Sequence, residues 1–235
     1  MKIGLVFPVI NNFKGLTEAV QSAKSVDHDL QTYIIPQWRH QVPLAKAWNA
    51  GAEMAFNDGC AFALVCNDDI LFSPDTIDAL VNEYQRLRHS DNVILVTPNN
   101  IRAELADPLQ ILNYQRPDVP FSWSEHPNFS CFLIAPEFFE LHGTFDENFV
   151  PAWFEDNDSH RRANLLGYKE ICTTAAPQVH FGGVSTSMME NPHSGESQKY
   201  YIEKWGGLPH PATETYSTPY NDPNLTPKDW RQNNG

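Results

Sequence analysis

From residue 3 to residue 98, apolar runs of strand length alternate with stretches of helical spacing, and this alternation constrains the fold more than any other feature. "IGLVFPV" reads as a buried first strand. Residues 16–25 then place Leu16, Val20 and Ala23 at helical spacing. "QTYIIP" is a second strand, and "PLAKAWNAGAEMAF" a helix with Leu44, Ala47, Trp48 and Ala52 on one face. "AFALVCNDD" is a third strand that ends in acids. "SPDTIDALVNEYQRL" predicts a helix with Ser73 as N-cap and Pro74 at its first position. "NVILVTP" is a fourth strand. Such a rhythm implies an α/β fold with a mostly parallel sheet and helices on both faces. In sheets of this kind ligands bind beyond the carboxyl ends of the strands.

The second half reads differently. Residues 101–127 are irregular and rich in proline and polar residues, as expected of a long loop over a site. "FSCFLIAPEFFELHG" gives a strand and a short helix, and "ICTTAAPQVHFGG" another strand and loop. From about residue 190 the text lacks periodicity, yet Tyr200, Tyr201, Trp205, Tyr216, Tyr220 and Trp230 predict a tail that wraps the domain.

Charge narrows the partners. Sixteen basic against 29 acidic residues give a formal net charge of -13 over 235 residues. That balance argues against nucleic acid, which is held mainly by Lys and Arg. A small anionic ligand remains compatible if a metal ion offsets the repulsion. Cys60, Cys66, Cys131 and Cys172 lie in or beside apolar runs and read as buried free thiols. No stretch approaches the ~18 apolar residues of a membrane span. The expectation is a soluble protein of cytoplasmic type with no transmembrane segment.

Three stretches carry chemistry. An apolar strand ending in Asn67, Asp68 and Asp69 points hard oxygen ligands into the crevice, a set suited to Mn²⁺ or Mg²⁺. The same three residues also fit a turn with Asp caps. His180 closes a strand just before Gly182 and Gly183, which permit close backbone approach. In "AWFEDNDSHRRANLLGYK", Glu155, Asp156 and Asp158 precede a leucine turn with a glycine cap, so the acids fall at a helix N-terminus. A carboxylate there keeps its charge, as a general base requires and as an ordinary cap also does. His160, Arg161 and Arg162 fit phosphate contacts or helix capping equally.

Taken together, the motifs "FPVINN", "PLAKAWNAGAEMA", "FALVCNDDILFSPDTIDAL", "GTFDENFVPAWFEDNDSHRR", "VHFGG" and "YYIEKWGG" resemble the inverting GT-A-fold glycosyltransferases of the family-2 type. The resemblance extends to the small single-domain members from phages, viruses and bacteria, and runs from residue 3 to about 207. It implies a Rossmann-like sheet and a nucleotide-diphosphate sugar donor, with a glycan or other hydroxyl acceptor. It further implies that Asp69 and His180 hold Mn²⁺ or Mg²⁺, and that Asn67 and Asp68 meet the donor. Pro8, Val9, Asn11 and Asn49 would line the nucleotide pocket. Asp156 would be the catalytic base, and Trp153 and Glu155 would face the acceptor. Where relatives carry an Asp-Asn pair after the second strand, this chain has Pro36 and Gln37. Gln37 would then bond a base edge and Trp38 would stack on it.

The implied organisation is a GT-A domain over residues 1–207, with a nucleotide-sugar half (1–100) and an acceptor half (101–207). Residues 208–235 form an irregular tail. Two other readings compete: a non-catalytic nucleotide-sugar binder and a metal-dependent phosphoesterase.

Overall fold

A computed structural model describes residues 1–37, 42–118, 120–184 and 195–209. Trp38, Tyr216, Tyr220 and Trp230 lie outside these residues, as does nearly all of the tail. The strands are β1 (Lys2–Val9), β2 (Asp29–Pro36), β3 (Phe62–Cys66), β4 (Ile70–Phe72), β5 (Val93–Asn100), β6 (Trp123–Ser124), β7 (Cys131–Ile134) and β8 (Lys169–His180). The helices are α1 (Phe13–Ser22), α2 (Leu44–Asn57), α3 (Thr76–Leu87), α4 (Glu137–Leu141), α5 (Glu155–Leu165) and α6 (Glu196–Trp205).

One sheet of eight strands collects them in the order β2-β1-β3-β7-β5-β8-β4, with β6 paired to β8. Strands β2, β1, β3, β5 and β8 run one way, so the sheet is mostly parallel, as expected. Strand β7 runs against both neighbours, β3 and β5, and β4 and β6 run against β8. Alternation along the strands divides the core. Ile3, Leu5, Phe7 and Val9 face α1 and α3, while Val6, Ala63 and Val65 face α2. Trp48 of α2 is buried there, edge-on to Phe132 at 5.1 Å and to Phe145 at 5.2 Å. Such aromatic pairs add to the area that they bury.

Several boundaries differ from the reading of the sequence. Helix α1 starts at Phe13, because Asn12 caps it by accepting the Gly15 N–H. The expected start of α3 at Pro74 is replaced by a turn in which Ser73 bonds Asp75 and Thr76, and the helix begins at Thr76. The short strand β4 follows the "NDD" stretch directly. Residues 101–127 are packed more than a free loop would be: two 3-10 turns and β6 lie there, and Ile111 is buried with Leu71 and Val179. Residues 196–205 form α6, whose Tyr201 and Trp205 pack on Phe149. That helix is short and mixes its apolar residues with charges, so its periodicity is faint. Among the described residues no helix is long and apolar enough to cross a membrane.

Candidate active site

The carboxyl ends of β1, β2, β3, β5 and β8 open on one edge, and the loops leaving them carry the candidate residues. Val9 itself is core, and only its carbonyl reaches the edge, where it accepts the Gln37 N–H at 2.8 Å. Pro8 is buried beside it, while Asn11 is exposed. The neighbour of Asn11 does more. Asn12 is buried and donates from Nδ2 to the Asp68 carbonyl at 2.9 Å and to Asp68 Oδ1 at 3.3 Å. A Cβ at Gly15 would run into that carbonyl and the Asn12 carboxamide, so glycine is what lets α1 come this close. Helical spacing read from residue 16 left Asn12 unmarked, and an asparagine just before a helix would in any case signal only capping.

Asp69 and His180 lie side by side. Their Oδ1 and Nε2 atoms are 3.2 Å apart, and the Phe181 N–H donates to the Asp69 carbonyl at 2.9 Å. Asn67 is fixed through its N–H to the Ser130 carbonyl at 2.8 Å, and Gln178 Nε2 reaches Ser130 Oγ at 2.8 Å. Gly182 and Gly183 have φ of +74° and +73°, which keeps the backbone after His180 bare. Directly beneath, Cys66 and Cys131 are cross-strand partners with sulfurs 3.6 Å apart. They remain free thiols, as do Cys60 and the half-buried Cys172.

The α5 acids approach the same edge, because the Pro151 carbonyl accepts the Leu44 N–H at the start of α2. Trp153 and Phe154 both take left-handed φ, +80° and +71°. Non-glycine residues there cost of order 1 kcal/mol or more each. Trp153 stays 42% exposed, while Phe154 turns into the core against Tyr201 at 5.3 Å. Asp156 is half-buried and accepts the Asn157 N–H at 2.8 Å. Glu155 is buried, and burial followed by the Asp156 charge holds its carboxyl well above the ordinary value.

Several assignments are corrected. Asp158 is fully buried and takes hydrogen bonds from Arg162 Nε, Lys204 Nζ and Trp205 Nε1, each at 2.8 Å. It neither caps α5 through an exposed first turn nor faces an acceptor. Arg161 and Arg162 are equally buried, Arg161 beneath the Trp205 ring, so they are interior cations and not phosphate ligands. His160 is also interior, 3.4 Å from Glu170. Asn49 does not line a pocket. Its carboxamide clamps Phe145 N–H and C=O at 2.9 Å each and reaches Glu147 at 3.0 Å. Gln37 donates one amide N–H to the Val42 carbonyl at 3.1 Å.

No protein-family model matches the chain. A galactofuranosyl glycosyltransferase of Leishmania donovani is 23% identical over 192 residues, which cover 66% of this chain and 44% of that protein. The chain thus spans less than half the length of that relative. The catalytic domain of Drosophila β1,4-galactosyltransferase 7, solved with xylobiose, superimposes with a TM-score of 0.52 at 15% identity. The match covers 77% of this chain and 70% of that one. The fold is GT-A. A mutant of the same Drosophila enzyme, solved with manganese, UDP-Gal and xylobiose, has a TM-score of 0.48 at 16% identity, 77% of this chain and 70% of that one being covered. On the GT-A frame, Asp68, Asp69 and His180 lie at strand ends and the α5 acids at a helix start.

Proposed function

We propose that this protein is a metal-dependent, inverting glycosyltransferase of the family-2 type. It moves a sugar from a nucleotide-diphosphate donor to an acceptor hydroxyl on a glycan. The observation that carries this reading is the Asp69–His180 pair, 3.2 Å apart on the edge that the α5 acids also approach. A carboxylate and an imidazole fit Mn²⁺ or Mg²⁺, which take further oxygens from water and substrate phosphates. Among the described residues no group of three or more such ligands occurs. When bound, the ion supplies charge stabilisation for the departing diphosphate.

The chain's own residues do the rest. Asp68 and Asn67 orient the donor, with Asn12 holding Asp68. Trp153 offers an exposed ring for a sugar face, and Glu155, whose carboxyl burial pushes up, stands beside Asp156 at the start of α5. Asp156 takes the proton of the acceptor hydroxyl. That oxygen forms its bond to the anomeric carbon while the bond to the diphosphate breaks, and the electron pair leaves with the diphosphate. A single displacement inverts the anomeric centre.

The test is transfer from uridine, guanosine and thymidine diphosphate sugars, with the product anomer read by NMR and EDTA as control. Inverted product that disappears in EDTA and returns with Mn²⁺ is expected. Donor hydrolysis regardless of acceptor would favour the phosphoesterase reading. Tight binding without turnover would favour the non-catalytic binder.

A further inference from the structure

The geometry points to Arg102 as a phosphate-binding residue of the donor site, an inference that rests on the donor reading above. Arg102 opens the 3-10 turn at Arg102–Glu104, directly after β5. Its backbone N–H donates to Asn100 Oδ1 at 3.2 Å, and the same oxygen accepts the His180 N–H at 3.1 Å. Its Nη1 donates to the Phe181 carbonyl at 2.7 Å, while the Phe181 N–H holds the Asp69 carbonyl. Arg102 is therefore tied on both sides to the residues that fix the Asp69–His180 pair.

The guanidinium also lies over the Phe181 ring, 5.4 Å from its centre, which limits the rotamers it samples. Yet Arg102 remains exposed, and a guanidinium carries five N–H donors in a planar fork. Fastening a turn to the Phe181 carbonyl needs one donor, which a neutral amide supplies as well. A fixed, exposed fork beside the metal pair fits a phosphate oxygen better than it fits a staple. Charge supports the same placement. A diphosphate meets Asp68 and Asp69 on a chain of net charge -13, and a cation held at this edge offsets that repulsion.

The experiment is calorimetric titration of the full chain and of Arg102→Gln and Arg102→Lys, with Mn²⁺ present. The probes are uridine, guanosine and thymidine diphosphates, each set against its own nucleoside. Arg102→Gln should weaken the diphosphate by about tenfold to a hundredfold, the scale of a lost bond to a charged group. It should leave nucleoside affinity unchanged, and Arg102→Lys should recover part of the loss. Equal weakening of diphosphate and nucleoside would make Arg102 a staple for the turn and overturn the assignment. Unchanged diphosphate affinity in Arg102→Gln would overturn it alone, leaving the donor reading intact. A parent protein that binds no nucleoside diphosphate would overturn both together.

Discussion

Lys204 of α6 places its ammonium 2.8 Å from Asp158 of α5 and 2.5 Å from Asp146, joining three segments at one buried charge. Because Asp158 also pairs with Arg162, removing its charge takes a carboxylate from a fully buried arginine, while Lys204 keeps Asp146. Breaking a buried pair by deleting one partner costs about 3–5 kcal/mol. Asp158→Asn should therefore lose stability on that scale in urea unfolding, far beyond a lost cap. A loss below about 1 kcal/mol, the range of a cap, would show that solvent reaches the pair.

The catalytic assignments separate by what each variant spares. Asp156→Asn keeps the shape but cannot take a proton at neutral pH. It should leave donor affinity nearly unchanged and lower turnover by roughly a hundredfold or more. His180→Ala should instead raise the Mn²⁺ concentration needed for half-maximal rate. If Asp156→Asn matches the parent while Glu155→Gln is inactive, the base is Glu155.

Glu155 makes stability depend on pH with a definite sign. Burial and the Asp156 charge raise its folded value above the unfolded one, about 4.3. The folded state then holds a proton that the unfolded state releases, so stability is full below about pH 4 and falls as pH rises toward the folded value. Glu155→Gln should raise the melting temperature at pH 8 and change it little near pH 4. An equal effect at both would mean that the carboxyl ionises in place.

Gly15→Ala tests the approach of α1 to Asp68. In an open helix this change gains about 1 kcal/mol. Here the new methyl group meets the Asp68 carbonyl and the Asn12 carboxamide, so the sign should reverse. A lower melting temperature together with a donor KM raised several-fold is expected. A more stable protein with unchanged KM would mean that this contact does not position Asp68.

The elements most legible in the sequence were those whose pattern is local. Strands β1, β3 and β5 are continuous apolar runs, and α2 carries a clear apolar stripe, so both emerged from spacing alone. The Asp69–His180 pair was named through resemblance, since nothing in the text brings Asp69 to His180. What failed was burial. Asp158 read as part of a helix N-terminus, and Arg161 and Arg162 as phosphate contacts or caps, because charge normally faces water. Their interior placement depends on Lys204 and Trp205, supplied by a helix whose own period is weak. Asn49 failed for the same reason: a lone asparagine in a helix does not announce the distant loop that it clamps.

The antiparallel strand β7 has a bearing on how the chain is made. Residues 131–134 lie between β3 and β5, both of which leave the ribosome earlier. Until they arrive, β3 and β5 each present an unpaired edge, the kind of surface that invites pairing with other chains. The first hundred residues should thus fail to fold when expressed as a fragment, although they hold Asp68 and Asp69. Contacts so distant in sequence also slow folding. Productive synthesis depends on the chain remaining protected until Ile134 has emerged, and a chain of this design is most exposed to aggregation in the interval between its fifth strand and its seventh.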